Sequence, residues 1–186
     1  PVCLESPQHN DDRDEQVIID RSEYDEQVHP QQQQAAVDEV DYQTLLTRQE
    51  FLDWLQRLQQ SELFGFDTET TSLDYMQAQI VGLSFSIEPA QAAYLPLAHD
   101  YAGAPEQLDR DWVFDQLRPL LEDPRKAKLG HNLKYDRNVL VNHDIRLQGI
   151  VYDSMLESYV LDSTASRHDL DSLCQKYLSH SNIKFE

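Results

Sequence analysis

The sequence predicts an α/β domain: a mixed five-stranded sheet, three antiparallel strands and then a βαβα run, flanked by helices. Three observations predict it. Apolar runs of strand length, separated by turn residues, recur between positions 63 and 97. Two short apolar strands further on are each followed at once by a helical pattern. A capping box, Thr47-Arg48-Gln49-Glu50, opens an amphipathic helix ahead of the first long strand.

The elements follow in order. Residues 1–39 read as an acidic polar linker, with Gln31-Gln32-Gln33-Gln34 and little periodicity beyond Val17-Ile18-Ile19. The domain is expected over 40–186. Tyr42-Gln43-Thr44-Leu45-Leu46 reads as a short edge strand. Thr47 caps a helix whose stripe is Phe51, Leu52, Leu55 and Leu58. The first main strand runs from Leu63 to Asp67, the second from Ile80 to Ile87, and the third from Ala92 to Leu97 after the Glu88-Pro89-Ala90-Gln91 turn. A helix spans 109–121, with Pro119 expected to kink or restart it. Ala127 to Gly130 is a strand, 132–142 a helix, Ile150 to Tyr152 a strand, 154–161 a helix, and 169–178 a last helix.

A chain of 186 residues, 40% hydrophobic, is long enough for one domain with a real core. No apolar run approaches the ~18 residues of a membrane span. The first residues lack the basic and apolar regions of a secretory signal. Cys3 and Cys174 lie far apart, without the close Cys or His neighbours of a zinc site, and read as reduced thiols of a cytoplasmic protein. A net charge of −19 disfavours a nucleic-acid partner if taken whole. Its distribution weakens that argument. Residues 1–40 carry 11 acids and 2 bases, whereas residues 125–186 carry 8 acids and 9 bases.

Asp67 and Glu69 are the most informative pair. They stand two apart at the expected end of the apolar strand Leu63-Phe64-Gly65-Phe66, so both point to one face with Cα atoms roughly 6–7 Å apart. Two carboxylates so placed repel each other and lose solvation, and a divalent cation relieves both. A solvated strand end, or Asp67 as a helix cap, is the alternative. Asn132 follows Gly130-His131 and starts a helix, where an N-cap is the simplest role. Asp136 sits one turn in, either as a favourable charge near the helix N-terminus or as a third carboxylate brought to Asp67 by the fold. Asp153 and Asp169 read as N-caps. The seven histidines show no paired-ligand spacing, and Gly-rich phosphate loops and G-x-S-x-G elbows are missing from the sequence. An oxygen-only ligand set points to Mg²⁺ or Mn²⁺.

Three segments carry a resemblance. Phe66-Asp67-Thr68-Glu69-Thr70-Thr71-Ser72-Leu73-Asp74, Gly130-His131-Asn132-Leu133-Lys134-Tyr135-Asp136, and Asp153-Ser154-Met155-Leu156-Glu157-Ser158-Tyr159 with Arg167-His168-Asp169-Leu170-Asp171-Ser172-Leu173 resemble the proofreading 3′–5′ exonuclease domain of bacterial DNA polymerase I. The last segment separates it from RNase D-type members of the DEDD superfamily, which share the first two motifs. The resemblance implies an RNase H-like fold and two-metal hydrolysis of the 3′-terminal phosphodiester of DNA, releasing 5′-mononucleotides. It implies that Asp67, Glu69 and Asp136 are catalytic metal ligands. Leu73, Asn132, Tyr135, Arg167 and Phe185 fall where the family contacts a single-stranded or frayed 3′ end, Leu73 and Phe185 by packing on bases. Core packing is the alternative for those two. The implied partners are DNA and the remainder of a polymerase chain, in a monomer. The family's third motif, Tyr-x-x-x-Asp, falls beyond the position of Phe185. Tyr159 and Tyr177 do not replace it, because Ser163 and Ser181 stand where its Asp would. The expectation is therefore a fragment with an incomplete metal set and weak or absent activity. A 3′ exonuclease of ordinary rate from these residues alone would contradict it. The rival readings are an RNase D-like RNA exonuclease and a non-catalytic structural domain of the polymerase.

Overall fold

The computed structural model describes residues 40–164 and 167–182. The expected linker 1–39 and Phe185 lie outside the described residues. The elements are β1 (Asp41–Thr44), α1 (Arg48–Gln60), β2 (Leu63–Thr70), β3 (Ile80–Glu88), β4 (Gln91–Pro96), α2 (Arg110–Leu121), β5 (Ala127–Gly130), α3 (Leu133–Val141), β6 (Ile150–Asp153), α4 (Ser154–Leu161) and α5 (Leu170–Leu173), which runs on as a π-helical turn over Cys174–Leu178.

The sheet has six strands in the order β1-β4-β3-β2-β5-β6, not five. β2, β3 and β4 form the expected antiparallel meander. β5 pairs parallel with β2, and β6 parallel with β5. The extra strand is the expected edge segment, which joins the sheet by pairing parallel with β4 from Asp41 opposite Gln91 to Thr44 opposite Tyr94. That pairing spans some fifty residues of sequence and leaves no local signal. β2 also runs three residues further than expected. Its partner β3 carries the ladder past Asp67, which pairs with Ser84, to Glu69, which pairs with Gly82. The two carboxylates thus lie within a paired strand rather than at its stop. The register then slips between Glu69 and Thr70, a strand irregularity of the kind that re-aims side chains near functional sites.

Both halves of the Thr47/Glu50 capping box form. The buried stripe of α1 is Phe51, Trp54, Leu55 and Leu58, and Leu52 is exposed. Positions 51, 54, 55 and 58 follow the i, i+3, i+4, i+7 spacing of one helix face, which Leu52 leaves. Asp109 caps α2, which continues through Pro119 to Leu121 as one helix without a restart. The core gathers these faces with Phe64, Phe66, Leu83, Phe85 and Leu95 of the sheet and Val139 and Leu140 of α3.

Lys128 of β5 is buried, 0% exposed, with its ammonium donating to the carbonyls of Asp123 (3.3 Å) and Lys126 (3.0 Å) and standing 5.5 Å from the Phe64 ring centre. Burial pulls it down from 10.5 to about 8, with Lys126 adding to the fall and Asp123 opposing it. Between those values the unfolded chain holds a proton that the folded one has shed. Stability should therefore rise with pH from about 8 towards 10.5, by at most ~1.4 kcal/mol per unit. Below that window both states are protonated and this slope vanishes. Lys128→Met should abolish the rise, read as urea midpoints across the window. An unchanged slope would place the proton elsewhere.

Candidate metal and nucleic-acid site

The site begins where β5 ends against β2. A Cβ on Gly130 would lie 2.6 Å from Leu133 Cδ2 and 2.8 Å from the Phe66 carbonyl oxygen. Only glycine lets the β5–α3 turn pack this close to the residue before Asp67. Asn132 takes the cap position of α3 in the left-handed conformation, φ 60°, and its side chain makes no capping bond. This corrects the N-cap expectation. The cap comes from Asp153, whose carboxylate accepts from the backbone N–H of Asn132 (3.0 Å) and of Leu133 (2.8 Å). The same carboxylate caps its own helix, α4, through Met155 and Leu156. Asp169 caps α5 as expected.

The tight turn delivers Asp136 to β2. It is 2% exposed, and one of its oxygens accepts from the Thr68 backbone N–H (3.0 Å) and the Thr68 hydroxyl (2.7 Å). Asp136 is thus clamped to the residue between Asp67 and Glu69. An open depression of about 400 Å³ lies above, lined by residues 67–73 and Tyr135. The Tyr135 hydroxyl donates to the Ser72 carbonyl and lies 2.6 Å from the Thr70 hydroxyl, pinning the loop after β2. Leu73 on that loop is 95% exposed, so it is not a core residue. Arg167 is exposed and does not line the depression. His168 beside it turns inward, its Nδ1 2.9 Å from the Ser158 hydroxyl and its ring stacked on Tyr159.

The carboxylates feel one another. Asp67 is exposed as a residue, yet its carboxyl is pushed up to about 7, first by lost solvation, then by Asp136 and by Glu69, with the Thr68 backbone N–H opposing. Burial raises Asp136 as well, against the Thr68 hydrogen bonds. Among the described residues no group of three or more His, Cys, Asp or Glu side chains closes into a metal cage. A larger groove, about 870 Å³, lies apart from this site between α4 and α5, walled by apolar residues such as Val160 and Leu178. Asp153, Ser154, Glu157 and Ser158 also line it. Thr68 escaped the sequence reading, although a hydroxyl between two carboxylates two apart is a signal for a clamp. The double capping role of Asp153 has no such signal, because its second helix starts 20 residues upstream.

Residues 42–186 match the family model described as 3′–5′ exonuclease. A DNA polymerase I of Pseudomonas aeruginosa is 60% identical over 80% of this chain. The chain belongs to the 3′–5′ exonuclease domain family of DNA polymerase I. A DNA polymerase I of Rhizobium leguminosarum is 38% identical over 72% of the chain. The chain spans only 16% and 15% of these two relatives' lengths. Among solved structures, Trypanosoma brucei RNase D aligns with a TM-score of 0.63 at 13% identity, over 80% of this chain and 50% of that one. Brucella melitensis NrnC with bound Mg²⁺ aligns at 0.55 and 20% identity, over 79% and 65%. At these identities the structures speak for the fold alone, the RNase H-like fold of DEDD exonucleases. Among the described residues no helix is long and apolar enough to cross a membrane.

Proposed function

We propose that this domain hydrolyses the 3′-terminal phosphodiester of a single-stranded or frayed DNA end, releasing 5′-mononucleotides, as the proofreading module of a DNA polymerase chain. One observation carries the reading: buried Asp136 is held by hydrogen bonds to Thr68, the residue between Asp67 and Glu69, and those two carboxylates line an open depression. Such a grouping costs electrostatic energy that a cation removes.

The donor set fits Mg²⁺ or Mn²⁺. It is all oxygen, the donor type that hard divalent cations take. Asp67 and Glu69 would hold such ions from β2, with Asp136 serving largely through water. Bound there, two cations would supply an activated water and charge stabilisation for the phosphate and its leaving 3′ oxygen. The protein's own residues place the strand. Leu73 offers an exposed apolar face at the rim for the terminal base. Tyr135 fixes the loop that carries it. Asn132, Arg167 and Phe185 would be further contacts of the 3′ end, Phe185 by packing on a base. A mispaired end frays at lower cost than a paired one, so selectivity needs no reading of base edges.

The test compares matched 5′-labelled DNA and RNA single strands with Mn²⁺, alongside Mn²⁺ titration calorimetry. DNA should shorten from its 3′ end in single steps, however slowly, and Mn²⁺ should bind. Preferential shortening of RNA would assign the RNA-trimming activity instead. Intact strands with no Mn²⁺ binding would make the domain a structural module.

A further inference from the structure

β3 carries a glycine in its interior, Gly82, directly opposite Glu69. A Cβ there would lie 2.1 Å from Tyr94 Oη and 2.6 Å from Tyr94 Cζ. The phenol therefore rests on bare backbone, a close approach of the kind that explains glycine within a strand. Tyr94 pairs with Ser84, which pairs with Asp67. Directly paired residues share a sheet face, as do residues two apart. Asp67, Ser84 and Tyr94 make one row on that face, and Glu69 and Gly82 the next. Tyr94 leans from its own row onto the row of Glu69.

Its hydroxyl is held there, 2.5 Å from His99 Nε2. His99 is itself anchored. Its backbone N–H donates to the Gln107 side-chain oxygen (2.8 Å), and its carbonyl accepts from the Gln107 amide (2.7 Å). The hydrolysis reading uses none of this. Tyr94 thus bounds Glu69 on the β3–β4 side of its strand.

We propose that Tyr94, held over Gly82 by His99, is a positioning residue for Glu69, restricting its carboxylate to orientations that face the cation site. The proposal rests on the reading of Glu69 as a cation ligand. Outer partners that orient a ligand typically change metal affinity by about 10- to 100-fold when removed.

The experiment is Mn²⁺ titration of wild type, Tyr94→Phe, His99→Ala, His99→Gln, Glu69→Gln and the double variant Tyr94→Phe/Glu69→Gln, with urea midpoints recorded for each. Tyr94→Phe keeps the ring on Gly82 and removes only the tether. It should weaken Mn²⁺ about tenfold with the midpoint nearly unchanged. His99→Ala should do the same, and His99→Gln, which restores a polar partner, should recover most of the loss. In the Glu69→Gln background Tyr94→Phe should cost nothing further, because its effect runs through Glu69. Wild-type affinity in Tyr94→Phe, with binding lost in Glu69→Gln, overturns the positioning role alone. Wild-type affinity in Glu69→Gln overturns the ligand reading and the proposal with it. Equal additional losses in both backgrounds also overturn it, since they mark a merely structural effect.

Discussion

Asp67→Asn should lose Mn²⁺ binding and 3′ shortening together while making the metal-free protein more stable. The two effects share one cause. Asp67 is raised to about 7 from 3.8 by lost solvation of its carboxyl and by Asp136 and Glu69, so ionising it in the fold is unfavourable, by an amount that solvent reaching this exposed residue reduces. The sign follows directly. At pH above 7 the folded protein carries a charge that the unfolded chain holds more easily, and the full penalty is present. As pH falls from 7 towards 3.8 the folded carboxyl protonates and the penalty shrinks. Below 3.8 it is gone. Asparagine has nearly the same shape and no charge, so the gain in urea midpoint should be largest above pH 7 and fade towards pH 4. Added Mn²⁺ should stabilise the wild type through binding and leave Asp67→Asn unmoved. Removal of a catalytic metal ligand should slow shortening by more than about a hundredfold, counted against the several kcal/mol that a cation supplies to the developing charge. A variant that is no more stable without metal, or that still responds to Mn²⁺, would show that Asp67 is an ordinary solvated carboxylate of the strand. The trade of stability for chemistry is a familiar cost of active sites.

What the sequence made legible follows the range of the forces involved. α4 was expected over 154–161 and spans Ser154–Leu161, and the Thr47/Glu50 box forms in full, because caps and helical stripes are written within a few residues. The end of β2 was not legible, because Thr68, Glu69 and Thr70 are held in the strand by β3, whose apolar pattern says nothing of how far its partner extends. The edge segment was seen but not its pairing with β4, for the same reason. Trp54, not Leu52, belongs to the stripe of α1, and the i, i+3, i+4, i+7 spacing from Phe51 already selects it. At the site, the i, i+2 spacing announced Asp67 and Glu69. Asp136 needed the family resemblance, since 68 residues separate it from the Thr68 that holds it. The left-handed Asn132 was misread because asparagine serves equally as a side-chain cap and as a residue tolerant of positive φ. The choice between them was made by Asp153.

Asp153→Ala should be the most destabilising single exchange of a polar residue in the domain. Its carboxylate accepts four backbone N–H donors from two helix starts: Asn132 and Leu133 on one side, Met155 and Leu156 on the other. It is nearly buried, so water replaces it poorly. One lost cap costs about 1 kcal/mol, and two together with unsatisfied buried donors should cost about 2–4 kcal/mol in urea unfolding. Asp169 is the control, since it is exposed and caps only the short α5, and Asp169→Ala should cost under about 1 kcal/mol. Asp153→Asn keeps one acceptor oxygen and should fall between. The functional consequence separates this role from a purely structural one. α3 carries Asp136, and its start is fixed by Asp153 and by the contact of Gly130 with the Phe66 carbonyl. When the first of these is lost, Asp136 should loosen from Thr68 and Mn²⁺ affinity should fall, even at urea concentrations and temperatures where Asp153→Ala remains folded. If Asp153→Ala binds Mn²⁺ as wild type does while it unfolds more easily, the start of α3 is held by Gly130 packing alone and Asp153 serves only α4.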